Sequence, residues 1–310
     1  LAGRGVPVTN LDKGTYAADA RRLEGTGDLV ETRAVDVAAD PLGEHLAGAS
    51  AVVHLAAETH VTRSEVDRDT FFRANVDGTR SVLAAADAAG VDTVVHFSTD
   101  EVYGPALETP FAERDKAPGE GRATSAYARS KAFADDLAVT FRGAPRVYVV
   151  RPTNCFGPFQ HPEKAIARWT VRALSGRDLP VWGDGRYVRD WMVVDDVCDA
   201  VDVLLRDRPP PGAYNVGPGG EPVPNLVIAR EIARLAGRGD DAVYLTAYDR
   251  PAHDRRYSVD SSKMRALGWA PATGLSEGLR ATVEWYREHR EWWEPLVGEA
   301  ESLYVDGTPR

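Results

Sequence analysis

Five short apolar runs, at 6–11, 29–35, 50–55, 91–97 and 147–150, constrain the fold of this chain more than any other feature. Largely apolar runs of this length, without strict alternation, suit strands buried on both faces. Helical patterns stand between them, notably Asn75 to Ala89, with Val76, Leu83 and Ala86 in register, and Tyr127 to Arg142. Strands alternating with helices predict a parallel sheet covered on both sides, a doubly wound α/β architecture. Beyond Arg151 prolines and tryptophans cluster and the alternation weakens, which predicts a smaller α+β lobe assembled from discontinuous segments. The expected division assigns 1–157 with about 190–215 to the sheet domain, and about 158–189 with 216–310 to the lobe. Val193 to Leu205 reads as a helix returning to the sheet. Ser276 to Trp293 reads as one amphipathic closing helix, with Leu279, Val283 and Tyr286 on one side.

Composition removes several function classes. No apolar stretch approaches membrane-spanning length. A net charge of −10 argues against a nucleic-acid surface, so an anionic ligand has to meet a local arginine cluster. Two cysteines, Cys155 and Cys198, are too few for a disulfide framework and lack metal-ligand spacing, so no metal is expected and a reducing cytoplasm is.

Chemistry concentrates in two motifs. Ser98-Thr99-Asp100-Glu101-Val102-Tyr103-Gly104 follows the fourth apolar run, so its polar side chains emerge at the carboxyl end of a buried strand, where open α/β sheets place ligands. Tyr127-Ala128-Arg129-Ser130-Lys131 opens a helix, with Tyr127 and Lys131 one turn apart on one face. An ammonium beside a phenol favours the phenolate, and a Thr99 hydroxyl donating to the same oxygen adds to this, so Tyr127 is expected to titrate below its ordinary pKa of about 10. Each motif also has a plain reading, as helix surface for one and as a helix cap for the other. Their strand-then-helix order is what makes one site of them.

Asp12 closes the first apolar run, where an acid commonly meets the adenosine ribose of a dinucleotide about 20 residues after a glycine fingerprint. No such fingerprint stands between a strand and a helix in these residues; Gly217-Pro218-Gly219-Gly220 has the wrong context. A first strand, its phosphate loop and most of a first helix are therefore expected upstream of Leu1, whose neighbours Ala2 and Gly3 read as that helix's end. The architecture is Rossmann-like on this reading.

From Tyr127 and Lys131 onward the residues resemble the extended short-chain dehydrogenase/reductase superfamily, and within it the dTDP-glucose 4,6-dehydratases of deoxysugar biosynthesis. The resemblance rests on Asp12-Lys13-Gly14-Thr15-Tyr16-Ala17, His54-Leu55-Ala56-Ala57-Glu58-Thr59-His60-Val61, the Thr99-Asp100-Glu101 trio, Asn154 with Gly157-Pro158, His161-Pro162-Glu163-Lys164, Arg189-Asp190-Trp191 and Asp249-Arg250-Pro251 with His253. It implies NAD as cofactor and a nucleoside-diphosphate hexose as substrate. Tyr127 would take the C4 hydroxyl proton, supported by Thr99 and Lys131, Glu101 would remove the C5 proton, and Asp100, kept protonated, would protonate the departing C6 hydroxyl. For the cofactor the resemblance implies Asp12, Lys13, Asp36, Val37, Leu55, Ala56, Ala57, Thr59, Asn75, Ser98, Tyr127, Lys131 and Asn154. Asn75 reads equally well as a helix cap. For the substrate it implies His60, Thr99, Asp100, Glu101, Asn154, Glu163, Lys164, Trp182, Arg189, Asn225, Arg250 and His253, with the arginines and His253 on the diphosphate. Trp182 stacks near the base or belongs to the lobe core.

The chain departs from the family pattern at Gly14, Thr62, Cys155, Phe156, Trp182 and the loose Gly119-Glu120-Gly121 loop, positions that bear on nucleotide and sugar choice rather than on the reacting centre. A 4-epimerase or a UDP-glucuronate decarboxylase is the nearest rival; the first has no use for Asp100 and the second typically carries a shorter side chain there. A catalytically silent dinucleotide-binding module would be expected to have lost Tyr127, Lys131 or the acid pair. The resemblance further implies a homodimer paired through the helices at 75–89 and 127–142 as a four-helix bundle.

Overall fold

The computed structural model describes residues 1–106, 109–248 and 254–305, with the backbone of 308–309. Strands β1 (Val8–Asp12) and β2 (Val30–Ala34) form a parallel pair. A second, four-stranded parallel sheet runs in the order β10 (Gly212–Val216), β5 (Arg146–Pro152), β4 (Thr93–Phe97), β3 (Ala51–His54). Among the described residues no ladder joins β1 to β3. The apolar runs thus become strands with ends shifted by a residue or two, and β4 and β5 are buried nearly throughout, as strands covered on both faces must be.

Two layers of helix cover the larger sheet. The helix expected over 75–89 starts as a π-turn, Arg73–Asp77, before continuing as α4 (Gly78–Ala88). With α1 (Gly43–Leu46) and α5 (Ala126–Val139), α4 closes a core of Leu46, Val82, Leu83, Val94, Ala138 and Val149. A Cβ on Gly78 would come within 3.2 Å of Val37, so the absent side chain lets α4 approach the loop after β2. On the other face α7 (Val194–Asp207) and α9 (Ser262–Arg265) pack Val197, Leu204 and Met264 against Tyr148, Val150 and Tyr214. Two short helices, α2 (Val61–Val66) and α3 (Arg68–Phe72), lie between β3 and the π-turn.

The later residues build a separate core. β6 (Asn154–Phe156), α6 (Ala165–Leu174), β7 (Leu179–Trp182), β8 (Val188–Arg189), β9 (Trp191–Val193), β11 (Val223–Pro224), α8 (Asn225–Leu235) and β12 (Val243–Thr246) supply most of it. Phe156, Ile166, Trp169, Leu179, Ile228 and Ile232 meet Leu279 and Val283 of α10 (Leu275–Glu288) there. The single closing helix expected over 276–293 is two helices. The chain breaks at His289 and resumes as α11 (Arg290–Ser302), because Trp292 and Trp293 turn inward to pack with Tyr286, Ala167 and Val171 instead of continuing the α10 stripe.

Candidate active site

β4 ends at Phe97, and the chain turns at once into a tight 3₁₀ turn, Asp100–Tyr103. Thr99 starts that turn: its Oγ1 accepts the Glu101 amide at 3.3 Å and donates to Asp100 Oδ1 at 3.2 Å. Gly104 ends it at φ 75°, ψ −165°, a conformation almost confined to glycine, with the Arg122 carbonyl oxygen only 2.4 Å from where a Cβ would stand. The turn therefore delivers Asp100 and Glu101 side by side in one rigid place. α5 brings Tyr127 in its first turn and Lys131 one turn later, and the Lys131 ammonium donates to the Phe97 carbonyl oxygen at 2.6 Å. That bond ties the helix to the end of the strand carrying the acids.

The electrostatics set Asp100, Lys131 and Tyr127 apart. Burial, then the neighbouring Glu101 carboxylate, push the Asp100 carboxyl up to about 8, with Arg189 opposing. Among the described residues Asp100 Oδ2 is buried without a hydrogen-bond partner, as a carboxyl that keeps its proton can be. Burial lowers Lys131 to about 8. Tyr127 reverses the sequence expectation. Its phenol is pushed up rather than down, by burial first and then by Glu101 and Asp100, and only the Thr99 hydrogen bond among the leading influences pulls it back. A buried phenol beside two carboxyls outweighs one lysine whose ammonium is turned toward Phe97.

The cofactor-side residues line the carboxyl ends of β1, β2 and β3. Lys13 Nζ lies 3.9 Å from Asp36 Oδ2, and Arg73 lies 3.6 Å from the same oxygen. Asp12 and Asp36 each accept a backbone amide two residues on, from Gly14 at 2.7 Å and Ala38 at 2.9 Å, which holds both loops in tight turns. Leu55 and Ala56 are exposed and Ala57 half-buried, so the backbone after β3 is open to a ligand, and Val37 is half-buried beside it. Ser98 Oγ and Asn154 Oδ1 are buried with no hydrogen-bond partner among the described residues. An open backbone shelf flanked by Lys13 and Arg73, with buried polar atoms left over near the acids, fits a dinucleotide lying across these strand ends. Asn75 is not a helix cap. It sits inside the π-turn, donating to the Glu58 carbonyl at 3.0 Å and Ser130 Oγ at 2.8 Å and accepting the Glu58 amide at 2.8 Å, so its amide braces the loop after β3 against α5.

On the opposite side of the acids, Arg189 is buried, donates to the Val188 carbonyl at 2.7 Å and lies 4.5 Å from the Tyr257 ring. Trp182 ends β7 edge-on to Tyr248, centroids 5.2 Å apart, and tilted against Tyr304 at 6.2 Å. Asn225 keeps its Oδ1 buried without a partner among the described residues. Lys164 donates to both the carbonyl and the hydroxyl of Thr59 at 3.0 Å, joining the two sides of the cleft. Glu163 is buried; the charges of Lys164, His60 and His161 outweigh burial and hold its carboxyl low. Arg250 and His253 lie outside the described residues.

Sequence reasoning missed the support behind these groups. Arg151, at the end of β5, forms a two-pronged ion pair with Asp135 of α5, both bonds 2.8 Å, and donates to Tyr103 Oη at 2.7 Å. One guanidinium thus joins the helix of Tyr127 to the turn of Asp100. The available signal was spacing: 127, 131 and 135 share one helix face. Tyr16, which donates to Glu163 at 3.1 Å under the Arg63 guanidinium, had no comparable signal because its partners are distant in sequence.

A model of the NAD dependent epimerase/dehydratase family matches residues 1–217. Over 310 residues the chain is 40% identical to the dTDP-glucose 4,6-dehydratase of Streptomyces niveus, covering 98% of this chain and 90% of that protein. Among solved structures it superposes on DesIV, a dTDP-glucose 4,6-dehydratase from Streptomyces venezuelae with NAD and TYD bound. The TM-score is 0.87 at 37% identity, with 94% of this chain and 90% of that one covered. It also superposes on a UDP-glucose 4-epimerase from Thermus thermophilus in complex with NAD, with TM-score 0.83, 28% identity and 93% of each chain covered.

Proposed function

The chain belongs to the NAD dependent epimerase/dehydratase family, and from that premise we propose that it dehydrates dTDP-glucose to the 4-keto-6-deoxy sugar nucleotide. The observation that carries this reading is the pairing of Asp100, buried and raised to about 8, with a neighbouring carboxylate at Glu101, both beside Tyr127. Elimination of water from C5 and C6 needs one carboxyl that holds a proton and one that has lost it, and like charges at close quarters arrange that by themselves.

NAD, when bound, would supply the hydride acceptor and donor. Tyr127 accepts the C4 hydroxyl proton, the Thr99 hydroxyl steadies the phenol oxygen, and Lys131 holds α5 against β4. The resulting 4-ketone acidifies C5. Glu101 removes the C5 proton, and Asp100 gives its proton to the C6 hydroxyl, which leaves as water; the hydride taken from C4 would then return to C6 while Glu101 returns a proton to C5, which completes the 4-keto-6-deoxy sugar. Lys13, Asp36 and the shelf at 55–59 hold the dinucleotide; Arg189 and Lys164 meet the substrate diphosphate, and Trp182 faces its base. A 4-epimerase uses the oxidation alone and would leave Asp100 without a task.

The sheet domain is assigned 1–157 with about 190–215 and the lobe about 158–189 with 216–310, except that α9 and Trp269 pack on the sheet and go with the first. A homodimer through α4 and α5 is part of the same proposal, supported by exposed Ala84 and Ala88 on α4 and exposed Phe133 and Val139 on α5. So is a cytoplasmic location, in keeping with two free thiols at Cys155 and Cys198. The test is incubation with dTDP-glucose and catalytic NAD in deuterated water. The expected product is a 4-keto-6-deoxy sugar nucleotide labelled at C5; unlabelled product, or a need for stoichiometric NAD, overturns the mechanism.

A further inference from the structure

α5 carries Tyr127 in its first turn, so the exact seat of the phenol depends on how that turn is anchored. The first four amides of a helix have no partner within it. Three of these, at Ala126, Tyr127 and Ala128, have an acceptor outside the helix ladder, whose first internal bond is from Arg129 N to the Ser125 carbonyl at 2.9 Å. Ala128 N donates locally to Ser125 Oγ at 3.0 Å. The other two reach across to α2: Tyr127 N donates to Ser64 Oγ at 3.0 Å, and Ala126 N to Glu65 Oε1 at 2.8 Å. Ser64 is wholly buried, and its hydroxyl in turn donates to the Val61 carbonyl at 2.6 Å, so its orientation is settled at both ends. The Phe71 ring, just beyond α2, meets the Tyr127 ring edge-on at 6.5 Å. α2 itself begins at His60, directly after the backbone shelf at 55–59, and the His60 ring caps it by accepting the Arg63 amide at 3.2 Å.

We propose that Ser64 and Glu65 are positioning residues for Tyr127: α2 caps the catalytic helix in trans, and so locks the seat of the phenol to the loop that lies under the cofactor. This rests on Tyr127 acting as the base. The Ser64 bond sets the backbone of Tyr127 itself, and the Glu65 bond sets the residue before it. Loss of either leaves an amide at the head of the helix without its acceptor, and a small displacement of a reacting group is enough to cost catalysis without costing binding.

Glu65 is the better probe, because its side chain is 40% exposed and its replacement leaves the core intact. Three variants separate reach from charge. Glu65→Ala removes both, Glu65→Asp keeps the charge but draws the oxygens back, and Glu65→Gln keeps an acceptor at the same reach. With dTDP-glucose, Glu65→Ala and Glu65→Asp are expected to lose about tenfold to a hundredfold in kcat with KM nearly unchanged, and Glu65→Gln to restore most of it. Wild-type kcat in Glu65→Ala, a loss that appears in KM, or a loss that Glu65→Gln does not restore overturns the proposal. Tyr127→Phe run alongside tests the underlying reading separately: full activity there removes the base, whatever the Glu65 series shows.

Discussion

Replacing Asp100 by Asn should strengthen the fold in alkali while removing one chemical step. In the folded chain the Asp100 carboxyl is raised from 3.8 to about 8, by burial first and by Glu101 second. Below pH about 4 the group is protonated folded or unfolded and contributes no pH dependence. Between about 4 and 8 the folded state holds a proton that the unfolded chain has released, so stability falls as pH rises, by about 1.4 kcal/mol per unit. By pH 7 the accumulated cost is of order 4 kcal/mol. Asn does not titrate and escapes it. Its amide hydrogens fall where Asp100 Oδ2 now has no partner among the described residues, which costs about 1–3 kcal/mol at every pH. Urea unfolding of both proteins from pH 5 to pH 8 should therefore show the variant gaining about 4 kcal/mol on the wild type over that range. In deuterated water the variant should still exchange the C5 hydrogen of recovered dTDP-glucose, while product formation falls by about 10²–10⁴. A stability difference that stays flat with pH would mean Asp100 is already ionised, and the assignment of the acid would fall with it.

Tyr127→Phe should abolish both product and C5 exchange, because oxidation at C4 precedes everything else; exchange that survives would place the first proton transfer elsewhere. Gly104→Ala should destabilise the fold by at least about 2 kcal/mol, read from urea midpoints, since it forces an alanine into φ 75°, ψ −165° against the Arg122 carbonyl. Arg151→Met leaves the Asp135 carboxylate buried and unpaired, and a loss of about 3–5 kcal/mol is expected from the same assay; a near-neutral result would remove the brace between α5 and the acid turn. Light scattering should give about twice 33.7 kDa, and a monomer at micromolar concentration would count against pairing through α4 and α5.

Much of the fold was legible in the residues because its signals are local. Thr93 to Phe97 reads as a buried strand from five consecutive side chains, and the polar residues after it have to appear at the strand's carboxyl end. Tyr127 and Lys131 share a face through helix geometry alone. The errors came where a distant partner decides. The stripe over 276–293 continues in periodicity, yet the chain breaks at His289 because Trp292 and Trp293 find a pocket against α6. Asn75 read equally as a cofactor contact or a cap, and only the cap is excluded, because Glu58 and Ser130 enclose it inside a π-turn.

Residue order by itself determined which groups stand together: a threonine and two acids on one turn, a phenol and an ammonium on one helix, each set by covalent spacing and backbone period. Their protonation was decided only by the folded chain. Asp100 rises because β4 and its neighbours exclude water while Glu101 lies alongside, Tyr127 rises for the same reasons, and the first turn of α5 is seated by Ser64 and Glu65 from some sixty residues earlier. Desolvation and charge act through space, over whatever atoms the tertiary packing brings near, and spacing along a chain carries no record of them.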